Sequence, residues 1–176
     1  MRLEADVTLP FPRDRVFGAY RDHLVDLVPF LPNIRRIEVK SRTEHGDVCD
    51  FVNVWHGGGD IPGVARAFLS EDMLAWTDYA TWNAADFTCA WRTQTHSFKD
   101  AVKAAGNTRY VEVDGGTRIE IRGSIEIDPA GLRGVPGFLA KRAAPAVAEF
   151  LVGRIRPNLI EVAEGVRRYL SAEPEG

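Results

Sequence analysis

A long alternation of apolar and polar residues limits the folds open to this chain more than any other pattern in its sequence. It begins at Ile34 and continues with a period of two for about ninety residues, in segments such as RIEVKS, VCDFVNVW, LAWTDYATW and TRIEIRGSIEID. The junctions between these segments are short and turn-like, as at His45-Gly46-Asp47 and Asp114-Gly115-Gly116. Because such short junctions form hairpins, the pattern predicts a mostly antiparallel sheet whose strands pair in chain order.

The segments on either side of this region complete the set of elements. A first alternating segment precedes it, with Leu3, Ala5, Val7 and Leu9 on one side. Residues 13–31 have helical spacing and are interrupted by prolines, which predicts two short helices. An apolar stripe near the end of the chain predicts one long helix, and it consists of Val147, Leu151, Ile155, Leu159, Val162, Val166 and Leu170.

A sheet with one apolar face must bury that face, and only the C-terminal helix is long enough to cover it. The sequence therefore predicts an α+β fold, in which a curved antiparallel β-sheet is wrapped around a long C-terminal helix, with two short helices after strand 1. We find no repeat or linker, so residues 1–171 are expected to form a single domain, with a frayed C-terminal tail at 172–176. Space left under such a sheet is a cavity, and apolar cavities are ligand sites by default.

Composition and charge argue against several other classes of protein. The formal net charge of -3 gives no reason to expect nucleic acid as a partner. The absence of a long apolar run predicts no stable membrane insertion, and the N-terminus lacks the apolar core of a signal peptide, so we expect a cytoplasmic location. Cys49 and Cys89 are outside CxxC spacing and are expected to be buried thiols. The four histidines lack metal-binding spacing, so we expect no metal site.

The order of elements resembles the helix-grip fold of the START-like (SRPBCC) superfamily, which includes the major birch pollen allergen, polyketide cyclases and coenzyme-Q-binding proteins. Three segments carry the resemblance: DVTLPFPRDRVFGAYRD with FLPNIRRIEV, GGTRIEIRGSIEID, and PNLIEVAEGVRRYL. Together with the inferred curved sheet and closing helix, this resemblance leads us to expect a protein that binds a hydrophobic small molecule, such as a lipid, a quinone or an aromatic polyketide, in an internal cavity. We expect a monomer or weak homodimer. Alternatively, the resemblance implies a polyketide cyclase or aromatase that works without a cofactor.

All four tryptophans fall in the middle strands and predict an aromatic sheet face. Trp76 and Trp82 share a parity and would lie opposite Trp91 across a tight turn, whereas the side of Phe51 and Trp55 depends on whether the preceding turn is bulged. Ordinary core packing is the alternative to ligand binding. The candidate ligand-binding residues are Phe51, Asn53, Trp55, Arg66, Trp76, Asp78, Trp82, Trp91, Leu151 and Ile155.

The sequence His56-Gly57-Gly58-Gly59 matches the oxyanion-hole motif of some esterases. An esterase of that class also needs a G-x-S-x-G elbow, which the chain lacks, so the hydrolase interpretation is set aside. We predict instead a glycine-rich loop at the cavity mouth, which is either a gate or a plain connector. If the protein is an enzyme, Arg66, Asp78 and His96 are the residues to test for proton transfer. A protein-interaction module is a third possibility.

Overall fold

The computed structural model describes residues 1–58, 75–96, 102–128 and 157–172. Seven strands form one antiparallel sheet in the order β1-β7-β6-β5-β4-β3-β2. Apart from β1, which pairs with β7, neighbouring strands follow one another in the chain, as the short junctions predict. The elements in chain order are β1 (Arg2–Leu9), α1 (Arg13–Asp22), a 3-10 turn (Val28–Phe30), β2 (Ile34–His45), β3 (Val48–Gly57), β4 (Ala75–Asn83), β5 (Thr88–Thr95), β6 (Val102–Val113), β7 (Gly116–Ile127) and helix α2, described over 157–172.

The two short helices expected after β1 are one α-helix and one 3-10 turn. Helix α1 starts where the Val16 amide donates to the Pro12 carbonyl over 3.1 Å, and it ends at Asp22. The second element is only three residues long: Pro29 is tolerated in its first turn, but Pro32 follows shortly after it and disfavours a longer helix. The predicted curved antiparallel sheet with a C-terminal helix is confirmed.

The side on which the β3 aromatic residues lie is decided by a bulge within β2. The β2–β3 turn is a two-residue turn, with His45 opposite Val48 and Gly46 at φ +62°. By residue count alone, such a turn places the aromatic side chains of β3 on the outer face. A register shift between Val39 and Ser41 reverses that outcome, because one extra residue in a strand exchanges its two faces. Phe51 is consequently 5% exposed and faces inward.

The core lies between the inner face of the sheet and the two helices. Phe17 of α1 is at its centre, with ring centroids of Trp82 and Phe87 at 5.2 Å and of Tyr110 at 5.3 Å in edge-to-face geometry. Helix α2 buries Ala163, Val166 and Leu170 in the same cluster. Such edge-to-face contacts add about 0.5–1.5 kcal/mol per pair to the burial of the rings.

The end of α2 is fixed closely against the 3-10 turn. A Cβ on Gly165 would lie 2.4 Å from Leu31 Cδ2 and 3.1 Å from the Phe30 carbonyl oxygen. The Arg168 guanidinium donates to that same carbonyl over 2.8 Å. The helix therefore approaches the turn at a distance that only glycine permits.

Candidate functional site

The inner face of strands β3, β4 and β5 brings together most of the predicted ligand-binding residues that the structure describes. Two rows of register partners cross these strands. Asn53 pairs with Asp78, and one step along the face Trp55 pairs with Trp76, which pairs in turn with Thr95. The row of Asn53 and Asp78 is therefore polar, and the row next to it contains the two tryptophans.

Trp91 lies against a strip of bare backbone. Its register partner on β6 is Gly106, whose own partner on β7 is Gly123. A Cβ on Gly106 would lie 2.5 Å from Trp91 Cζ2, and a Cβ on Gly123 would lie 2.9 Å from Trp91 Cη2. The indole Nε1 donates to Thr108 Oγ1 over 3.2 Å. The two glycines thus leave the space that the indole occupies, and the hydrogen bond sets its orientation.

The aromatic side chains of this face divide into two groups by burial. Trp55, Trp76 and Trp91 are only half-buried although they face inward, and the rings of Trp55 and Trp76 stack at 5.7 Å and 13°. Phe51 and Trp82 are buried in the core, where Trp82 contacts Phe17 of α1. The first group offers accessible aromatic surface on the inner face, whereas the second has little surface left for a ligand.

Asp78 places a carboxyl group on this face. Burial raises the pKa of its carboxyl from 3.8 to about 6, and a hydrogen bond from the Asn53 side chain opposes part of that rise. Burial raises the pKa of the Cys89 thiol well above its usual range, and the negative charge of Asp78 contributes to this rise. Cys89 is therefore a neutral, buried thiol and not a reactive one, whereas Asp78 titrates close to neutral pH.

Three buried polar atoms on the same face have no hydrogen-bond partner within the described part of the chain. They are Asn53 Oδ1, Trp55 Nε1 and Thr95 Oγ1. Asn53 itself is only 2% exposed. Since an unsatisfied buried polar group costs about 1–3 kcal/mol, three of them in two adjacent rows mark this end of the face as unusual for a plain core.

The glycine-rich loop begins later than the sequence analysis predicted. His56 and Gly57 belong to β3, paired with Arg36 and Ile34, because the strand pairing continues to the end of that segment. The Gly58 amide donates to the Asn33 carbonyl over 2.8 Å. The predicted gate residues His56, Gly57 and Gly58 are thus hydrogen-bonded to the β2 side, and Gly59 lies outside the described residues, as do Arg66, Leu151 and Ile155.

His56 and His96 both lie on the outer face of the sheet. His56 Nε2 is 2.8 Å from Glu38 Oε1, and hydrogen bonds from Lys40 and His56 lower the pKa of Glu38 to about 2. His96 Nε2 is 2.9 Å from Thr77 Oγ1. The suggestion that His96 takes part in proton transfer in the cavity is therefore wrong, because its strand parity is opposite to that of Trp91. Arg92 likewise lies outside, over the Tyr79 ring at 3.6 Å.

Sequence reasoning missed Gly106, Gly123 and Thr95 as residues of this face. The β6 segment before Thr108 is rich in small and polar residues, so its alternation is weak, and the strand in fact begins at Val102. A glycine inside a strand usually marks a close approach of another group, and Gly123 interrupts the isoleucines of β7. That signal was present in the sequence, but its partner Trp91 was not identifiable without the register.

The described residues offer neither a cluster of metal-ligating side chains nor a membrane-spanning helix. They contain no group of three or more histidine, cysteine, aspartate or glutamate side chains placed to hold a metal ion. None of the helices in the same ranges is both long enough and apolar enough to span a membrane.

Comparison with known proteins identifies the fold. No family model matches the chain, and no curated protein matches it. Among solved structures, the Zhui aromatase/cyclase from Streptomyces sp. R1128 has a TM-score of 0.70 at 19% identity, over 97% of this chain and 93% of that one. Ara h 8.0201 has a TM-score of 0.65 at 16% identity, over 98% and 99%. A START superfamily protein from Mycobacterium smegmatis has a TM-score of 0.57 at 14% identity, over 96% and 98%.

These similarities define the class of the fold. The chain has the helix-grip fold that these solved structures share, as its element order predicted. One fold can host both binding proteins and enzymes, so only the residues of the inner face can indicate a function.

Proposed function

We propose that this protein binds a flat hydrophobic small molecule between the inner face of the sheet and the C-terminal helix. The observation that carries the proposal is the packing of Trp91 on Gly106 and Gly123. A core that needed only to be filled would use larger side chains in place of two adjacent glycines. Here the backbone is left bare, the indole lies against it, and the indole remains half-buried.

Two contributions favour a flat aromatic ligand on this face. Apolar surface removed from water contributes roughly 25 cal/mol per Å². Stacking on the indoles of Trp55, Trp76 and Trp91 adds about 0.5–1.5 kcal/mol for each well-placed pair of rings. The described residues therefore support affinity for a ring system of about the size of an indole or larger.

Equilibrium dialysis with naphthalene tests this proposal. We expect one molecule to bind per chain, and we expect Trp91→Leu to weaken binding about tenfold, because the leucine retains apolar volume but loses the flat ring. Tyr79→Leu is the matched control, since Tyr79 lies on the outer face against Arg92. Absence of naphthalene binding, or equal weakening by both substitutions, would contradict the proposal.

Asp78 supports a second candidate function, an enzyme of the cyclase or aromatase type. Such reactions begin with removal of a proton from a carbon next to a carbonyl group, and a carboxylate with a pKa of about 6 is suited to take up and return that proton near neutral pH. Asp78 lies in the row next to the half-buried indoles, within reach of a ligand on the inner face.

Deuterium exchange into 2-acetylnaphthalene tests this candidate. In heavy water, Asp78 would accept a proton from the methyl group, exchange it with solvent, and return a deuteron to the same carbon. We expect the protein to accelerate exchange, measured by mass spectrometry, and Asp78→Asn to abolish the acceleration, with Asp114→Asn in the exposed β6–β7 turn as control. Equal exchange rates for the wild type and Asp78→Asn would rule out this role.

A further inference from the structure

We propose that the ligand carries both a hydroxyl group and a carbonyl oxygen, the first recognised by Asn53 and the second by Trp55. This inference rests on the proposed binding function and names the class of molecule bound. It follows from the three unpartnered atoms of the inner face and from the hydrogen-bonding capacity that each one has left.

The orientation of the Asn53 amide is set by its neighbour. The Asn53 side chain is hydrogen-bonded to the Asp78 carboxyl, and an ionised carboxylate only accepts hydrogen bonds. The amide NH2 group is therefore directed to Asp78, which leaves Oδ1, a pure acceptor, without a partner in the described residues. Because Asn53 is 2% exposed, bulk water does not reach it freely. What it lacks is a hydrogen-bond donor, such as a hydroxyl group.

Trp55 has the opposite requirement. Its indole Nε1 is a donor only, and it has no acceptor within the described ranges. Trp91 of the same face shows the usual arrangement, because its Nε1 donates to Thr108. A carbonyl oxygen of a bound molecule is the simplest acceptor for Trp55. Thr95 Oγ1, across Trp76 from Trp55, can donate to the same oxygen or accept from the hydroxyl.

The arrangement places a donor and an acceptor side by side at the polar end of an aromatic face. Asn53 and Trp55 are two residues apart on one strand, which separates their Cα atoms by about 7 Å. A saturated hydrocarbon chain would leave all three atoms unpaired, at about 1–3 kcal/mol each. An oxygenated ring system satisfies them while its apolar part lies on the indoles.

Four flat probes of the same carbon skeleton test the inference: naphthalene, 2-naphthol, 2-acetylnaphthalene and 6-acetyl-2-naphthol. Equilibrium dialysis gives the affinity of each for the wild type and for two variants, Asn53→Leu and Trp55→Phe. We expect the hydroxyl to raise affinity about tenfold in the wild type, and this gain to be lost in Asn53→Leu. We expect the carbonyl to bring a similar gain, which is lost in Trp55→Phe but retained in Asn53→Leu. Each comparison is equivalent to a double-mutant cycle, in which one change removes the ligand's oxygen group and the other removes the protein side chain.

Asn107→Leu is the matched control for Asn53→Leu, because Asn107 is exposed on the outer face of β6. It is expected to leave both gains unchanged. If naphthalene binds but neither oxygen raises affinity, or if the gains persist in both variants, the inference is overturned and the binding function stands. If none of the four probes binds, the binding function and the inference are overturned together.

Discussion

Asp78→Asn is expected to raise the free energy of unfolding by about 2 kcal/mol at pH 7.5. Burial raises the pKa of this carboxyl from 3.8 to about 6, and each pKa unit corresponds to about 1.4 kcal/mol. The full conversion gives about 3 kcal/mol, which the accessible part of the side chain reduces. Asparagine has nearly the same shape and can still accept the hydrogen bond from Asn53, but it carries no charge.

The pH dependence of this gain follows from the direction of the pKa change. The folded state binds the proton more tightly than the unfolded state, so ionisation of Asp78 costs stability. That cost is absent below pH 3.8, develops between pH 3.8 and about 6, and is constant above. Urea unfolding of the wild type and Asp78→Asn should therefore give curves that differ at pH 7.5 and converge towards pH 4.

Asp114→Asn makes the same chemical change at an exposed position in the β6–β7 turn and is expected to alter stability by less than about 0.5 kcal/mol. A difference between wild type and Asp78→Asn that does not change with pH would show that burial of the charge is not its cause.

The expected result also bears on function. A buried carboxylate that lowers the stability of the fold is not explained by stability, which leaves a role in function as its explanation. Such residues are concentrated at binding and catalytic sites.

Gly106→Ala is expected to lower the free energy of unfolding by about 1–3 kcal/mol and to weaken naphthalene binding about tenfold. The new Cβ would lie 2.5 Å from Trp91 Cζ2, 2.4 Å from the Arg122 carbonyl oxygen and 2.8 Å from Gly123 Cα. Neither the neighbouring backbone nor the indole can absorb these overlaps without moving. Trp91 is thereby displaced from the bare backbone of β6 and β7, and the aromatic surface changes shape.

Gly18→Ala is the matched control for this substitution. It also adds one methyl group, but nothing lies within 4 Å of the new Cβ in helix α1. Alanine is favoured over glycine in a helix by up to about 1 kcal/mol, so this variant is expected to be more stable than the wild type and to bind naphthalene equally well. Urea unfolding and dialysis on the two variants separate the effect of the Trp91 contact from that of a methyl group elsewhere. Normal naphthalene affinity in Gly106→Ala would show that the packing of Trp91 on the glycines of β6 and β7 is not part of the ligand site.

Much of the fold could be predicted because most of its strands alternate clearly between apolar and polar residues. The placement of Trp76, Trp82 and Trp91 on one face follows from a period of two and a short turn, and the structure confirms it. The interior side of Phe51 could not be predicted. It depends on a bulge next to Lys40, in a polar stretch of an edge strand where both faces have similar residues.

The candidate site was harder to predict than the fold, because the accessibility of its residues depends on contacts between distant parts of the chain. The sequence identified Asn53, Trp55, Trp76, Asp78 and Trp91 as candidate residues, but not which of them are accessible. Burial of Trp82 depends on Phe17, which is 65 positions earlier in the chain and contacts it through the packing of α1 on the sheet. The packing of Trp91 on Gly106 and Gly123 depends on the register of three strands. Contacts of this range are properties of the folded structure and are not visible in local patterns.

Nitrogen–proton correlation NMR of the four indole N–H groups, recorded during titration with 6-acetyl-2-naphthol, shows directly whether the inner face binds the ligand. Single Trp→Phe substitutions assign the four signals. We expect the signals of Trp55, Trp76 and Trp91 to shift and saturate together, with the largest shift at Trp55. The signal of Trp82, which is buried against Phe17, is expected to change least. Four unchanged signals, or shifts that do not saturate at one molecule per chain, would contradict the assignment of the inner face as the ligand site.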